Sequence, residues 1–429
     1  MRFFYTIGIY FYTLGVRIAS LFNGKAHLMV RGWGDSRRRM WQAAKEWGDT
    51  PVAWFHASSL GEFEQARPVL EKFRVAHPDY RILLTFFSPS GYEVRKNYSQ
   101  ADLVCYLPMD TPYNARTLVQ TLSPQVAFFV KYDFWFNYLD SLRRQGCRTY
   151  IFSAIFRPSH YFFKWYGSWF CRQLSRCFNH LFVQNDESLS LLRHHGIDHC
   201  SKAGDTRFDR VHDIAVAAKQ FPEIERFIDA CPSAPIVVAG SSWEPDEEHL
   251  QHYLATHKDV RFILAPHVIS DSHLAAIDKL FGADTCVRFS HLATASDADL
   301  QRRVLVIDNI GMLSALYRYA TIAYIGGGFG RGIHNTLEAV AFGKPVIFGP
   351  NYRKFQEAHD LIACGGGFAY SDYNQLQHHI EKLLSDADAL ASASQSCMAY
   401  MDTNLGSSDA ILAVVERQIA AANGTNKTN

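Results

Sequence analysis

The chain has 429 residues, of which 48% are apolar and 20% are charged, and this composition excludes collagen-like, low-complexity and largely disordered proteins. At roughly 150 residues per domain, the length predicts about two or three domains. The net charge of +1 gives no overall field for a nucleic-acid partner, so none is predicted. The charge is uneven, because residues 1–47 hold eight Lys or Arg against two Asp or Glu.

The chain begins with an apolar segment that carries no charge from Phe3 to Val16. As a helix it would span about 21 Å, against about 30 Å of hydrocarbon in a bilayer. Extension to Phe22 reaches a spanning length only if Arg17 snorkels. The basic residues and tryptophans that follow suit an anionic cytoplasmic leaflet. We therefore predict a membrane-associated segment over residues 1–48, with a buried helix of the first domain as the alternative.

A first series of buried strands alternates with amphipathic stretches such as Glu62–Ala76 and Phe134–Gln145. This alternation is typical of βαβ units and a parallel sheet, so residues 49–210 are predicted to form a Rossmann-like domain. The predicted strands are Val52–His56, Arg81–Phe87, Leu103–Leu107, Val126–Val130, Thr149–Ser153 and His180–Val183.

A polar stretch at 211–234 is predicted to connect this domain to a second one at 235–422, where the strand pattern resumes. We expect two doubly wound domains with a cleft between them, the last helix packing back on the first domain, and a disordered tail at 423–429. The second series of predicted strands is Ile236–Ala239, Val260–Leu264, Val304–Ile307, Ile322–Ile325 and Val346–Phe348.

The most informative segment runs from Tyr324 to Pro350, with the sequence YIGGGFGRGIHNTLEAVAFGKPVIFGP. A strand enters a glycine loop, and a helix is predicted over Thr336–Phe342 with Asn335 as its N-cap. A glycine loop that leads into a helix N-terminus favours phosphate, and Glu338 is placed to accept hydrogen bonds from ribose hydroxyls. The alternative is a structural crossover without a ligand. The spacing does not match the P-loop pattern.

In the first domain, Glu62 follows the first strand and lies in the first turn of the next helix. A carboxylate there is a candidate general base that takes a proton from an attacking hydroxyl. The alternative is a glutamate that only complements the helix dipole.

Polar groups follow other predicted strands as well. Asp133 lies where a strand leads into a helix, and either contacts sugar, orients Glu62 or caps the helix. Ser88 and Ser90 form a polar turn that either holds an acceptor or caps a helix. In the second domain, Gly240 and His267 also follow strands.

The nine cysteines are dispersed and form no C-x-x-C pair. This usage is typical of reduced thiols in the cytosol rather than of a disulfide framework. No paired-Asp metal site is evident in the sequence, so no metal and no cofactor are predicted.

Taken in this order, the segments resemble the Kdo transferase family (3-deoxy-D-manno-octulosonic acid transferases) over nearly the whole chain. The resemblance implies the GT-B glycosyltransferase fold and inverting transfer of Kdo from CMP-Kdo to the lipid A precursor (lipid IVA). It also implies the cytoplasmic face of the inner membrane, with contact to anionic lipids. The segments that carry it are the N-terminal apolar segment, Ser59–Glu62, Asp133–Asn137, Gly204–Asp209, Gly240–Ser242, Pro266–His267 and the glycine loop with His334, Asn335 and Glu338.

The resemblance also assigns roles residue by residue. Glu62 corresponds to the general base, and Asp133 to the acidic residue of an ETELWPN-like motif. The predicted donor residues are Gly240, Ser241, Pro266, His267, Gly327, Gly328, His334, Asn335, Thr336 and Glu338. The predicted acceptor residues are Ser59, Gly61, Ser88, Ser90, Lys131, Trp135 and Asn137.

The chain departs from the family pattern at two places. Ala265 precedes Pro266 and His267 without the arginine of the family's Pro-Arg-His, which changes the contacts available to phosphate or the donor carboxylate. Lys131 and Phe136 replace a Glu and a Pro of the acceptor motif. Alternatives are a nucleotide-diphosphate-sugar transferase or 2-epimerase of the same fold, and an inactive membrane-attached protein that binds sugar nucleotides.

Overall fold

The structure is a computed structural model that describes residues 2–217 and 219–425. The chain divides into two compact units, one from the N-terminus to Arg210 together with the residues from Leu405 onward, the other from Val211 to Asn404. Each unit contains a seven-stranded parallel sheet with helices packed on it. The α/β class and the two doubly wound sheets agree with the sequence prediction.

The first unit holds strands β1–β7 in the spatial order β3-β2-β1-β4-β5-β6-β7. The strands are β1 Val52–Ala57, β2 Arg81–Phe86, β3 Leu103–Tyr106, β4 Val126–Val130, β5 Arg148–Ala154, β6 His180–Val183 and β7 Cys200–Lys202. Its helices are α1 Arg2–Ala19, α2 Gly24–Trp47, α3 Leu60–Ala76, α4 Pro89–Arg95, α5 Pro112–Leu122, α6 Phe136–Gln145, α7 Ser168–Cys177, α8 Asp186–His194, the start of α9 Arg207–Val216, and α19 Ser407–Thr425. Two 3-10 turns, Tyr161–Phe163 and Trp165–Gly167, precede α7.

The alternation of side chains along β1 divides the core of this unit into two layers. Trp54 is fully buried in a layer with residues of α2, α5, α6 and α7, whereas Phe55 is fully buried on the opposite face with residues of α3 and α19. Both faces of the central strand are therefore covered, which explains why its sequence is an almost continuous apolar run. This run was the signal that identified the strand.

The last helix, α19, packs on the first sheet. Ile411 and Val415 are fully buried in the same layer as Phe55. The predicted return of the last helix to the first domain matches this packing. The helix extends to Thr425, so residues 423–425 of the predicted tail are helical, and residues 426–429 lie outside the described residues.

The segment from Gly204 to Asp209, one of those that carry the family resemblance, holds elements of this unit together. Asp209 accepts hydrogen bonds from the backbone N–H of Gly406 at 2.7 Å and of Ser408 at 2.6 Å, and thereby caps α19. Asp205 accepts from the Gln65 amide at 2.8 Å on α3. The segment therefore connects α3 and the start of α19 through buried hydrogen bonds.

We expect Asp209→Ala to lower the free energy of unfolding by about 2 kcal/mol, since it removes an anionic cap from two backbone donors. Urea denaturation measures the change. Asp409→Ala is the control, because Asp409 forms an exposed ion pair with Lys72 at 2.6 Å, and such a pair contributes about 0–1 kcal/mol. Equal losses in the two variants would contradict the capping role.

The N-terminal segment forms two helices rather than one apolar span. α1 is anchored to the unit by Tyr5, whose hydroxyl donates to Asp110 at 2.6 Å, and by an ion pair between Arg2 and Asp140 at 2.5 Å. Burial raises the pKa of Asp110 to about 7. Within the part of the chain that the structure describes, no helix has the length and apolar character needed to cross a membrane.

Much of the apolar surface of α1 and of the turn after it nevertheless faces solvent. Phe11 is 71% exposed and Phe22 is 88% exposed. α1 contains no fully buried residue, so the alternative of a buried helix does not describe it. The other exposed apolar side chains here are Phe3, Phe4, Tyr10, Tyr12, Leu14, Ile18 and Leu21.

The second unit holds strands β8–β14 in the spatial order β10-β11-β9-β8-β12-β13-β14. They are β8 Ile236–Ser242, β9 Arg261–Pro266, β10 Cys286–Arg288, β11 Val304–Val306, β12 Ile322–Ile325, β13 Val346–Phe348 and β14 Gly367–Ala369. Its helices are α10 Pro222–Asp229, α11 Glu244–Thr256, α12 Asp271–Phe281, α13 Asp297–Leu300, α14 Leu313–Leu316, α15 Leu337–Val340, α16 Gln356–Cys364, α17 Tyr373–Ser385 and α18 Ala387–Asn404, with 3-10 turns at Phe289–Thr294 and Tyr317–Tyr319.

The stretch predicted as a connection at 211–234 is partly built into the second unit. α10 buries Ile224 and Phe227, and the Phe227 ring lies 3.5 Å beneath the guanidinium of Arg261. Arg261 is 2% exposed and also donates to the Leu300 carbonyl at 2.6 Å. Part of the predicted connection is therefore a helix that packs on the second unit, although its sequence is polar.

Candidate functional site

The first group of candidate residues lies at the carboxyl ends of β1, β2 and β4. These three strands are neighbours in the sheet, so the loops that follow them share one edge. The loops after β1 and β2 are joined directly, because the N–H of Ser88 donates to the carbonyl of Ser58 at 2.8 Å. Ser88 and Ser90 face each other, with their hydroxyl oxygens 3.0 Å apart.

Glu62 lies in the first turn of α3 and is half-buried. Ser59 is the N-cap of that helix, and its hydroxyl donates to the Glu62 carboxylate. The neighbouring Gly61 is exposed and leaves the approach to this turn without a side chain. A partly accessible carboxylate oriented by a hydroxyl suits a general base, and it also fits a capping interaction.

Asp133, on the loop after β4, is 8% exposed. It accepts a hydrogen bond from the N–H of Ser58 at 3.2 Å and a second one from the Ser58 hydroxyl. Adjacent serines thus hold the two candidate carboxylates. Burial, together with the negative charge of Glu62, raises the pKa of Asp133 to about 8, so near neutral pH the Asp133 carboxyl is mostly protonated.

A buried hydrogen-bond network supports this site, and the sequence analysis did not identify it. Trp135 donates from its indole N–H to His56 Nε2 at 3.0 Å, and His56 Nδ1 lies 2.8 Å from the Thr85 hydroxyl. Because Nε2 is the acceptor, the imidazole proton belongs on Nδ1. Burial lowers the pKa of His56 to about 3, so the ring stays neutral and fixes the indole of Trp135.

Two further predicted acceptor residues occupy different environments. Lys131 is half-buried and adopts a left-handed backbone conformation with φ of 53° directly after β4. Asn137 is fully buried, and its amide donates to the Asp110 carbonyl at 2.6 Å. Its position is that of a structural residue, which differs from the predicted acceptor contact.

The second group lies at the carboxyl ends of β8, β9 and β12, which are neighbours in the second sheet. Gly240 is buried, and a Cβ there would come within 2.0 Å of the Tyr317 hydroxyl. Ser241 adopts φ of 53° within β8, at the point where the register with β9 shifts between Gly240 and Ser242. Pro266 ends β9 inside the unit, whereas the next residue, His267, is exposed.

An aromatic stack lies on the exposed side of this group. The ring of His267 stacks on Trp243 at 4.8 Å and on His334 at 4.3 Å between centroids. The Trp243 indole donates to His334 Nε2 at 3.2 Å, so the proton of His334 belongs on Nδ1. Burial and the neighbouring His267 lower the pKa of His334 to about 4. The three rings offer stacking surface and imidazole nitrogens to a ligand.

The glycine loop differs from the predicted phosphate cradle. The N–H groups of Gly330 and Gly332 both donate to the Gly327 carbonyl, at 3.0 and 3.3 Å, and that of His334 donates to the Gly326 carbonyl at 3.1 Å. Gly328 packs so closely that a Cβ would lie 2.5 Å from Gly349 Cα. These N–H groups hold the loop itself, and its glycines serve close packing.

The helix after the loop is shorter than predicted, because α15 has four residues, Leu337–Val340. Thr336 is fully buried, and its hydroxyl has no hydrogen-bond partner among the described residues. Asn335 Oδ1 accepts from the Leu337 N–H at 3.2 Å, and its amide donates to Glu338 at 3.1 Å. The four-residue α15 is too short to provide the predicted N-terminal phosphate site, and the side chains of Asn335 and Glu338 are hydrogen-bonded to each other.

Asp246, in the first turn of α11, anchors the loop and was missed by the sequence analysis. It is 1% exposed and accepts from the Gly327 N–H at 2.9 Å, the Trp243 N–H at 3.0 Å and the Tyr324 hydroxyl at 2.7 Å. An acidic residue at a helix start usually complements the dipole. Its buried contacts to another strand are visible in the tertiary structure alone.

Comparison with known proteins identifies relatives of the chain. The family model for 3-deoxy-D-manno-octulosonic-acid transferase (kdotransferase) matches residues 33–210. The 3-deoxy-D-manno-octulosonic acid transferase of Chlamydia muridarum is 26% identical over 361 residues, covering 79% of this chain and 79% of the relative. The transferase of the same name from Aquifex aeolicus is 25% identical over 339 residues, covering 77% of this chain and 86% of the relative. These matches show that the chain is similar to Kdo transferases over most of its length.

These matches agree with the resemblance that the sequence motifs carry. The region matched by the family model contains Glu62, Asp133 and the loops that hold them. Among solved structures, UDP-GlcNAc 2-epimerase from Neisseria meningitidis bound to UDP-GlcNAc is 14% identical, with a TM-score of 0.59, and the match covers 85% of this chain and 100% of that one. This likeness shows that the two chains share a fold.

Proposed function

We propose that this enzyme is a glycosyltransferase that moves Kdo from CMP-Kdo to the lipid A precursor, lipid IVA, in lipopolysaccharide biosynthesis. The match of residues 33–210 to the family model for 3-deoxy-D-manno-octulosonic-acid transferase, together with the similarity to the Chlamydia muridarum transferase, carries the proposal. The half-buried carboxylate of Glu62, held by Ser59 at the start of α3, supplies a group suited to the reaction.

In the proposed reaction Glu62 takes the proton of the acceptor hydroxyl as that oxygen attacks the anomeric carbon of Kdo. The new glycosidic bond forms while the bond from the anomeric carbon to the CMP phosphate oxygen breaks. CMP leaves with the bonding electron pair, and the anomeric configuration inverts. Asp133, neutral below about pH 8, adds no second negative charge beside the base.

The donor residues belong to the second unit. Glu338 and Asn335 suit the ribose and cytosine portions of CMP, because they offer a carboxylate and an amide side by side. His267 and His334 present a pair of stacked imidazoles to the phosphate or the Kdo carboxylate. The donor carries a single phosphodiester charge rather than a diphosphate, so we propose that transfer proceeds without a metal ion.

The activity test uses full-length enzyme, lipid IVA and a system that generates CMP-Kdo. Mass spectrometry of the lipid is expected to show the mass of one or more added Kdo units, and to count them. Unmodified lipid IVA, with CMP-Kdo still present, would overturn the proposed function. Transfer of another sugar from a UDP donor would favour the nucleotide-diphosphate-sugar alternative.

Glu338→Ala is expected to weaken CMP binding by about 1–3 kcal/mol, the usual loss for a charge-assisted hydrogen bond. Calorimetric titration with CMP measures the effect, and UDP is titrated in parallel. Glu248→Ala, at an exposed site on α11, is the matched control and should bind CMP like the native enzyme. Tighter binding of UDP than of CMP would contradict the donor assignment.

We also propose that the enzyme works at the cytoplasmic face of the inner membrane and contacts it through α1. The exposed aromatic and aliphatic residues of α1 support a peripheral attachment, since apolar patches of this kind mark membrane or protein contacts. The basic residues of α2 would add attraction to anionic lipids.

Phe4→Ser combined with Phe11→Ser is expected to move the protein from the membrane fraction to the soluble fraction, because each buried Phe contributes about 1.5–3 kcal/mol. The two side chains are 69% and 71% exposed, so folding should be preserved. Val75→Ser combined with Val216→Ser removes exposed apolar groups elsewhere and serves as the control. Unchanged partitioning of the Phe variant would contradict attachment through α1.

A further inference from the structure

A pocket of about 410 Å³ lies between α1, α2 and the loop after β3, apart from the candidate catalytic residues. Its walls combine apolar and cationic side chains. They include Leu14, Arg17, Trp33, Arg37, Met109 and Tyr113. We call it the α1–α2 pocket.

The charged residues that line the α1–α2 pocket are all positive. Arg17 and Arg37 are its charged lining residues, and no Asp or Glu is among the described residues that line it. Within the described part of the chain, neither guanidinium forms an ion pair with a carboxylate. Two arginines that line one pocket without a carboxylate partner favour an anion, and guanidinium geometry matches phosphate oxygens.

Trp33 provides an independent observation. It is 6% exposed and lines the pocket, and its indole Nε1 has no hydrogen-bond partner among the described residues. Buried tryptophans usually find an acceptor for this N–H, and an unmet buried donor is unfavourable. This nitrogen is closed to solvent in the structure, so a ligand oxygen can satisfy it only if the indole turns towards the pocket on binding.

The surroundings of the pocket indicate an amphiphile rather than a free ion. Leu14 and Met109 supply apolar wall beside the arginines. The pocket borders α1, whose exposed Phe11 and Leu14 extend the apolar surface outward. An anionic head in the pocket, with chains along α1, fits both features.

We propose that the α1–α2 pocket binds the phosphate headgroup of a membrane glycerophospholipid. Arg17 and Arg37 hold the phosphate oxygens, the Trp33 indole donates to one of them, and the glycerol ester lies against Leu14 and Met109. The inference rests on the proposed membrane contact and is independent of the transfer reaction, because its readouts are binding measurements.

The test titrates full-length protein with a short-chain phosphatidylglycerol kept below its micelle concentration, so that no charged surface is present. Calorimetry is expected to show saturable binding of one lipid per chain. Arg17→Gln combined with Arg37→Gln should weaken it by more than about tenfold. Lys25→Gln combined with Arg31→Gln removes the same charge from exposed positions of α2 outside the pocket and should leave binding near the native value.

Trp33→Phe tests the indole donor without a change in charge, and it is expected to weaken binding by about three- to tenfold. Thermal unfolding of each variant verifies that it is folded. Arg17→Lys combined with Arg37→Lys keeps the charge and should restore part of the affinity. Loss of binding in the Lys25/Arg31 variant equal to that in the pocket variant would overturn the proposal in favour of diffuse attraction.

Two further titrations determine whether the pocket binds a phospholipid, free phosphate or lipid IVA. Inorganic phosphate that binds as tightly as the short-chain lipid would make this a free-anion site and overturn the lipid assignment. Lipid IVA dispersed in a nonionic detergent is titrated as well. Loss of lipid IVA binding in the Arg17/Arg37 variant would make the pocket part of the acceptor site, which also overturns the assignment. If the native protein binds vesicles but shows no saturable binding of the short-chain lipid, the pocket proposal is overturned. Membrane attachment through α1 would then remain supported.

Discussion

Glu62→Gln is expected to lower kcat by about 10²–10⁴-fold, the usual range when general-base assistance is lost. The acceptor hydroxyl has a pKa far above neutral, so its proton must pass to a base as the new bond forms. Gln keeps the size of the side chain and an oxygen that accepts from the Ser59 hydroxyl, but it cannot accept the proton. CMP affinity and the melting temperature should stay near native. Initial rates with CMP-Kdo and lipid IVA measure the effect.

Glu64→Gln is the matched control, because Glu64 lies on the same helix but forms ion pairs with Arg95 and Arg210. It should retain native kcat. An enzyme with Glu62→Gln and more than about half of the native kcat would exclude general-base catalysis by Glu62. It would leave the capping interaction with Ser59 as the role of that carboxylate, and Asp133 as the next candidate.

The dependence of the rate on pH is expected to distinguish the role of Asp133 from that of Glu62. The pKa of Asp133 is raised to about 8 by burial, so this group is neutral below pH 8 and ionises above it. In the native enzyme its ionisation places a second negative charge near Glu62, and the rate is expected to change through that pH range. Asp133→Asn, which cannot ionise, should lose this alkaline transition.

The strands were readable from the sequence wherever they are buried on both faces. Val126–Val130 and Ile322–Ile325 agree residue by residue with the prediction, since a fully buried parallel strand is a continuous apolar run. The three strands that the sequence did not reveal are β7, β10 and β14, each three residues long and each at an edge of its sheet. Edge strands need fewer apolar residues, so Cys200–Lys202 has no strand-like pattern.

The candidate site was readable only in part, because sequence shows which residue follows a strand and not which residue it contacts. Glu62 and Asp133 were identified from their positions after β1 and β4. His56 was not, since it appears inside an apolar run, and its contacts come from β2 and from the loop after β4. Asn137 lies in a motif with functional residues, yet its contact is with buried Asp110.

The glycine loop also shows that the sequence does not reveal which groups contact each other. Its composition predicted backbone N–H groups free to bind phosphate, whereas Gly330 and Gly332 donate to Gly327 within the loop. What the glycines allow is close packing, as at Gly328 against Gly349. The shape of the donor site then depends on what holds the loop from outside, and the buried carboxylate of Asp246 is the group that does so.

Asp246→Ala is therefore expected to damage both folding and donor binding. It leaves the buried N–H of Gly327 and the N–H of Trp243 without their acceptor, and each unmet donor costs about 1–3 kcal/mol. The Tyr324 hydroxyl keeps a partner in Tyr370 at 2.7 Å. We expect the free energy of unfolding to fall by about 3 kcal/mol and CMP affinity by more than about tenfold, because the loop and the Trp243–His334 contact both lose their anchor.

Glu247→Ala separates the loss of stability from the loss of loop geometry. Glu247 is adjacent in α11 and 2% exposed, but it accepts from the Ser242 hydroxyl at 2.8 Å and lies 2.9 Å from His273 Nε2, and among the described residues it forms no hydrogen bond with the glycine loop. This variant should be destabilised to a similar extent and lose much less CMP affinity. Urea denaturation and CMP titration, performed on both variants at a temperature where both are folded, make the comparison. If the two substitutions lowered CMP affinity equally, the loss would follow from general destabilisation, and Asp246 would have no positioning role. If Asp246→Ala alone weakens CMP binding, the geometry of the donor site depends on a single buried carboxylate that no glycine motif reveals.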